Sequence, residues 1–251
     1  MKTICTSAVM MAAAASLTTG MRANASEMDD RIESSAKKSY VFKTYLSGDD
    51  IKVHSKDGAV TLTGKVSEEA HKTLANDTVA GTPGVTSVDN QLELMNAPTA
   101  NTDAWISAKV KTTLLFHRSV SAGKTEMSVK DGIVTLWGEA GSQAQKDLTT
   151  EYAKDVEGVR EVKNNMTVSN APKTEKATMG ENIDDASITA QVKMSLLSHR
   201  STSALSTKVE TNKGVVVLHG KAKNAAEKDL ATKLAGDING VNSVTNRMSI
   251  E

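Results

Sequence analysis

The chain has 251 residues, with 30 Lys+Arg set against 30 Asp+Glu, 39% apolar residues and only 3% aromatics. The neutral balance argues against a dedicated nucleic-acid binder, which normally carries a basic stripe, and no stretch approaches the eighteen consecutive apolar residues of a membrane-spanning helix. A core so poor in aromatics must be built from Val, Leu, Ile, Ala and Met, which suits several small modules better than one large one.

The first residues read as a targeting segment. Lys2 gives a positive start, Ile4 to Leu17 is mostly apolar, and Ala23-Asn24-Ala25 forms a small-residue cleavage signal. A signal peptide is therefore expected over 1–25, with Ser26 the first mature residue and export to the periplasm as its consequence. Cys5, the one cysteine, lies inside that leader and too early to carry a lipid anchor. The mature chain is expected to have no thiol, disulfide or cysteine-based metal site.

From residue 28 onward one pattern occurs three times. Copy one (28–96) starts with a degenerate helical stripe of Ile32, Ala36 and Tyr40. A hairpin follows: Val53, then the Asp57-Gly58 turn, then Val60-Thr61-Leu62-Thr63-Gly64. Ala70 and Leu74 mark a second helix that ends near Gly84, and Val85, Val88, Leu92 and Leu94 mark a last strand containing Asn90. Asn96 to Thr102 is a polar linker.

Copy two (103–169) repeats the order more cleanly. Ile106, Val110 and Leu114 form one apolar stripe, with Asp103 expected as its N-cap. The hairpin is Asp131-Gly132 followed by Val134-Thr135-Leu136-Trp137-Gly138; Ala144 and Leu148, Gly158, then Val159, Val162, Met166 and Val168 complete it, with Asn164 inside. Residues 170–184 form a longer linker. Copy three (185–251) has Asp185 as expected N-cap, the stripe Ile188, Val192 and Leu196, the Lys213-Gly214 turn, Val216-Val217-Leu218-His219-Gly220, and Ala226, Leu230 and Leu234. It closes on Gly240, Val241, Val244, Asn246, Met248 and Ile250. Matched positions are separated by 74 residues from copy one to two and by 82 from copy two to three. The expected fold class is α+β: three tandem αββαβ modules, each two helices on a three-stranded mixed sheet. Each copy is expected to bury its own stripe, leaving surfaces rather than pockets.

The αββαβ order and the V-x-L-x-G…G-V…V-x-N pattern resemble the BON domain family, and an exported tandem array resembles its osmotically inducible protein Y group. That group typically has two modules, whereas three are present here. The resemblance implies a small two-layer sandwich, with Gly64, Gly84, Gly138, Gly158, Gly220 and Gly240 as structural positions only. It also implies a role in envelope stress through phospholipid surfaces or other proteins, without catalysis.

No catalytic set stands against that. His54, His71, His117, His199 and His219 show no metal-ligand spacing, and nucleophile and phosphate-loop motifs are missing. Asp29-Asp30, Asp49-Asp50 and Asp184-Asp185 read as caps and solvated loops. No enzyme, cofactor or metal is expected. His117-Arg118 and His199-Arg200 fall at matched helix ends, where they complement the helix dipole or offer an anion contact. If both helices cover one sheet face, Ile133 and Trp137, and likewise Val215 and Val217, lie on the opposite face. Such apolar stripes suggest module docking or a partner surface, and Trp105 is a further candidate contact. The formal charge of the copies runs from −3 through 0 to +3. The reading at this point is a periplasmic stress protein that binds phospholipid surfaces or client proteins, the alternative being a structural adaptor or chaperone-like protein acting by protein contacts alone.

Overall fold

A computed structural model of the protein describes residues 18–95, 102–120, 122–169, 183–199, 201–202 and 207–251, with side chains from residue 26 onward. Lys2, Cys5, the apolar stretch up to Leu17, most of the two linkers and Arg200 lie outside them. Three αββαβ modules are present. Module one comprises α1 (Thr18–Lys38), α2 (Tyr40–Thr44), β1 (Asp50–Lys56), β2 (Ala59–Val66), α3 (Glu69–Ala80) and β3 (Ser87–Leu94). Module two has α4 (Asp103–Phe116), β4 (Thr125–Lys130), β5 (Ile133–Ala140), α5 (Gln143–Lys154), β6 (Glu161–Asn164) and β7 (Thr167–Val168). Module three has α6 (Asp185–Ser198), β8 (Thr207–Asn212), β9 (Val215–Ala222), α7 (Ala225–Gly236), β10 (Ser243–Asn246) and β11 (Ser249–Ile250). In each sheet the second strand is central, antiparallel to the first and parallel to the last. The sheets are therefore mixed, and the last strand returns through the second helix as a crossover.

Local chemistry repeats with the sequence. Asp57, Asp131 and Lys213 hold positive φ beside their turn glycines, the geometry of a two-residue hairpin turn. Asp103 and Asp185 are not the N-caps expected of them. Those roles belong to Thr102 and Asp184, whose side chains accept from the amides of Trp105 and Ser187. The carboxylates one residue later are freed to reach the hairpin instead. Asp103 accepts from the Asp131 and Gly132 amides at 2.8 and 2.9 Å, and Asp185 from those of Lys213 and Gly214 at 2.7 and 2.8 Å. Asp29 does the same for Asp57 and Gly58. Hydrogen bonds from the Ser55 hydroxyl and these turn amides hold Asp29 below the ordinary carboxylate range. Each first helix is thus clamped to its hairpin by one carboxylate.

Asn90, Asn164 and Asn246 do the equivalent for the second helix. Each donates its amide to a carbonyl there, Lys72, Lys146 or Lys228, and accepts from the amide two residues on. In modules two and three the last strand is interrupted after this asparagine. At Gly138, with φ of 116°, a Cβ would stand 1.9 Å from the Lys124 carbonyl oxygen, so only glycine lets the hairpin strands close there.

The modules do not keep separate cores. Module two has its own, around Val110, Val134, Leu136 and Met166. Modules one and three share a single continuous cluster that also takes in Phe116 of α4. The cause is α6, which is buried on nearly all sides, Ser187, Ala190, Gln191 and Met194 included. A helix without a broad polar face has to be covered all round. Packing runs through helices, and the open sheet faces take no part: Trp137 is 40% and Val215 38% exposed. Docking through those faces is therefore not how these modules join. Module one also breaks its first helix at Ser39, whose hydroxyl caps α2 by accepting from the Phe42 amide.

Gly138→Ala is expected to destabilise by more than about 2 kcal/mol in urea unfolding. Gly123→Ala, with nothing within 4 Å of its added Cβ, should stay within about 0.5 kcal/mol of wild type.

Candidate functional site

Modules two and three meet through a reciprocal contact. The C-terminal end of α4 forms an antiparallel bridge between His117 and Ile238, and the end of α6 forms its counterpart between His199 and Val156. The same 82-residue offset relates the two halves, so the interface is isologous within one chain. His199 Nε2 lies 2.9 Å from Asp155 Oδ2, and His117 Nδ1 lies 3.3 Å from Asp237 Oδ2. That second approach is not a hydrogen bond, and His117 Nδ1 is buried.

His117 is only 2% exposed, stacks on Tyr152 at 3.9 Å between ring centroids, and has its Nε2 3.2 Å from the Ser195 hydroxyl. Tyr152 donates to Asp237 at 2.7 Å, and Ser119 donates to the same carboxylate. Burial pushes the Asp237 carboxyl up, but the contacts with His117, Ser119 and Tyr152 outweigh it and hold the group below its ordinary value of 3.8. Burial and the bonded carboxylate push the Tyr152 phenol up. The Arg118 guanidinium donates to the carbonyls of Gly236 and Val241. It therefore complements the C-terminal end of α7 in the other module, and not that of its own helix. His117, Arg118 and His199 are thus engaged inside the chain. In module one Lys43 and Gly81 stand at the matched positions, so it cannot repeat this pair and docks on α6 by other means.

Those means lie on one face of α6. Ser187, Gln191 and Ser195 recur every four residues, as neighbours along a helix do. The Ser187 hydroxyl accepts from the Val41 amide at 3.1 Å, Gln191 accepts from the Tyr45 hydroxyl at 3.3 Å, and Ser195 meets His117. Asp184 takes the Tyr40 amide at 2.8 Å, and the Tyr45 ring packs edge-on against Phe116 at 5.0 Å. Lys193 pairs with Asp77 at 3.4 Å.

Where all three modules converge there is a cleft of about 460 Å³, so the expectation of surfaces without pockets needs correction. Trp105, Ala108 and Lys109 of α4 form one wall, Met194 and Leu197 of α6 another, and Leu94 with the start of α3 the third. Lys109 Nζ sits 3.8 Å over the Trp105 ring and 3.2 Å from Glu157, and Thr112 donates to Glu68 at 3.1 Å. Among the described residues Trp105 is the one sequence candidate that reaches this cleft. Ile133, Trp137, Val215 and Val217 line the open sheet faces. Among the described residues no group of three or more His, Cys, Asp or Glu is gathered to hold a metal ion, and no helix is long and apolar enough to cross a membrane.

The BON domain model matches residues 28–96, 102–170 and 184–251. The chain belongs to the BON domain family. It is 33% identical over 144 residues to osmotically-inducible protein Y of Escherichia coli, covering 57% of this chain and 70% of that one. It is 31% identical to a 21 kDa hemolysin of Actinobacillus pleuropneumoniae, covering 45% of this chain and 59% of that protein. Against the outer membrane lipoprotein DolP of Haemophilus influenzae it is 34% identical, covering 45% and 58%. A Chlamydia trachomatis type III secretion structural protein, CdsD, is 16% identical with a TM-score of 0.24 over 88% of this chain and 92% of that one.

Within these BON modules the sequence reading missed the cleft residues Leu94, Met194 and Leu197. The signal lay in α6, where Lys193 is the only charged residue after Asp185.

Because the Asp237 pKa is depressed, its contribution to the contact between modules two and three is full above its ordinary value of 3.8 and is lost as pH falls through the lower folded value. Asp237→Asn is expected to cost about 1–2 kcal/mol at neutral pH, less than a fully buried pair because the carboxylate keeps 12% exposure. Urea unfolding as a function of pH checks both. The variant should also flatten the acid limb of the stability profile.

Proposed function

We propose that this chain is an exported envelope protein of the osmotic-stress response that works by non-covalent binding to phospholipid surfaces or client proteins, without catalysis. Residues 28–96, 103–169 and 185–251 are its working modules, and the leader is removed after Ala25. The osmotic and outer-membrane names of two relatives support the setting.

The observation that carries the binding reading is the pair of open sheet faces in modules two and three. Trp137 and Val215 are exposed there, and Lys208, Lys221 and Arg247 hold exposed positions toward the His219 end of the module three sheet, while Val217 itself lies between Glu210 and Thr245. Two of these bases have carboxylate neighbours, Lys208 with Glu210 at 2.7 Å and Lys221 with Glu251 at 3.8 Å. The face is therefore amphipathic and only moderately basic. Module three nevertheless carries nine bases against six acids, and each base near an anionic leaflet contributes up to ~1 kcal/mol. Attraction of this size is weak and sensitive to salt.

Co-sedimentation of the mature chain with phosphatidylglycerol vesicles at low salt tests the lipid arm. Binding should weaken on adding salt and fall severalfold in Val215→Glu and in Trp137→Glu, with unfolding unchanged within about 0.5 kcal/mol, as for other surface substitutions. No sedimentation at low salt would remove the lipid arm and leave protein partners. N-terminal sequencing of the periplasmic protein should begin at Ser26, and any other start would overturn the cleavage assignment.

A further inference from the structure

We propose that the cleft between the three modules is a docking site for a peptide segment carrying apolar side chains next to lysine or arginine. This rests on the client-protein reading above and names the kind of client segment. The first support comes from the internal repeat. Ser187 and Gln191 are fully buried because module one lies on that face of α6. The matched residues of α4, 82 positions earlier, are Trp105 and Lys109, and they face the cleft. The same helix face that receives a protein element in module three is thus left open in module two, with a large aromatic where its counterpart has serine. Tryptophan is among the commonest anchors at protein interfaces.

Shape and polarity limit the occupant. A volume of about 460 Å³ lies within the range of small-ligand pockets, enough for a few side chains and too little for a folded element. The walls contributed by Leu94, Ala108, Met194 and Leu197 are apolar, and Leu197 stays 51% exposed.

Charge then chooses between occupants. Among the described residues, Glu68, Glu69 and Glu157 border the cleft against a single base, Lys109, which Glu157 already pairs at 3.2 Å. An anionic phospholipid entering tail-first would bring its phosphate against that carboxylate excess. A basic side chain flanking an apolar one meets it favourably, and complementarity of this kind governs encounter and orientation.

The test uses the full mature chain with Trp137→Phe, which leaves Trp105 as the only tryptophan, since the sequence has two. The probes are fluorescein-labelled decapeptides of leucine with lysine and of leucine with glutamate. The lysine peptide should bind at least tenfold more tightly, weaken with salt and shift the Trp105 emission. Ala108→Trp, which fills the cleft, and Leu197→Lys, which sets a like charge in the apolar wall at an exposed position, should each lower its affinity at least tenfold. Glu69→Lys combined with Glu157→Lys should reverse the preference between peptides. Equal affinity for the two peptides, or lysine-peptide binding unchanged in both cleft variants, overturns the assignment. In that second case the client reading survives with its site elsewhere, whereas loss of all peptide and client binding by the wild-type chain would remove both.

Discussion

The architecture depends on the polar stripe of α6. Ser187, Gln191 and Ser195 are almost fully buried, and burying such groups without partners would cost on the order of 1–3 kcal/mol each. Part of their bonding is local, since Ser187 donates to the Asp184 carboxylate and Gln191 to the Ser187 carbonyl, and the rest comes from the other two modules: the Val41 amide, the Tyr45 hydroxyl and the His117 ring. The stripe is fully bonded only with modules one and two in place. That requirement fixes how the three modules sit.

The surrounding contacts follow from it. With module one seated on the Ser187–Gln191 face, Tyr45 reaches Phe116, and the core of modules one and three becomes continuous. The reciprocal His–Asp contact then aligns modules two and three, using the ends of α4 and α6 where carbonyls and charged side chains are already at hand. Modules of about 67 residues are near the size at which one core is marginal, so shared burial is a plain physical gain. The cleft is a consequence of the same asymmetry: α4 presents Trp105 and Lys109 where α6 presents Ser187 and Gln191, and among the described residues no element covers them.

How much of this was legible in the sequence depended on distance along the chain. Hairpins, helix stripes and the αββαβ order were readable because each rests on neighbours within a few residues, as in Val134-Thr135-Leu136-Trp137-Gly138 after Asp131-Gly132. The cap positions were misplaced by one residue: Asp103 and Asp185 look like caps, yet Thr102 and Asp184 take that role. The real task of Asp103 and Asp185, gripping a turn 28 and 29 residues away, has no local signature. His117 and His199 recurred at matched places, which marked them as meaningful, but their partners Asp237 and Asp155 lie in another module. The scarcity of charge along α6 was the one readable hint that this helix is enclosed.

The claim that the three modules form one body around α6 is tested most directly by small-angle X-ray scattering of the mature chain at neutral pH. A single packed body of this length should have a radius of gyration of about 17–20 Å, with a bell-shaped profile typical of a compact particle. A value of about 25 Å or more, with the extended profile of beads on a string, would contradict it.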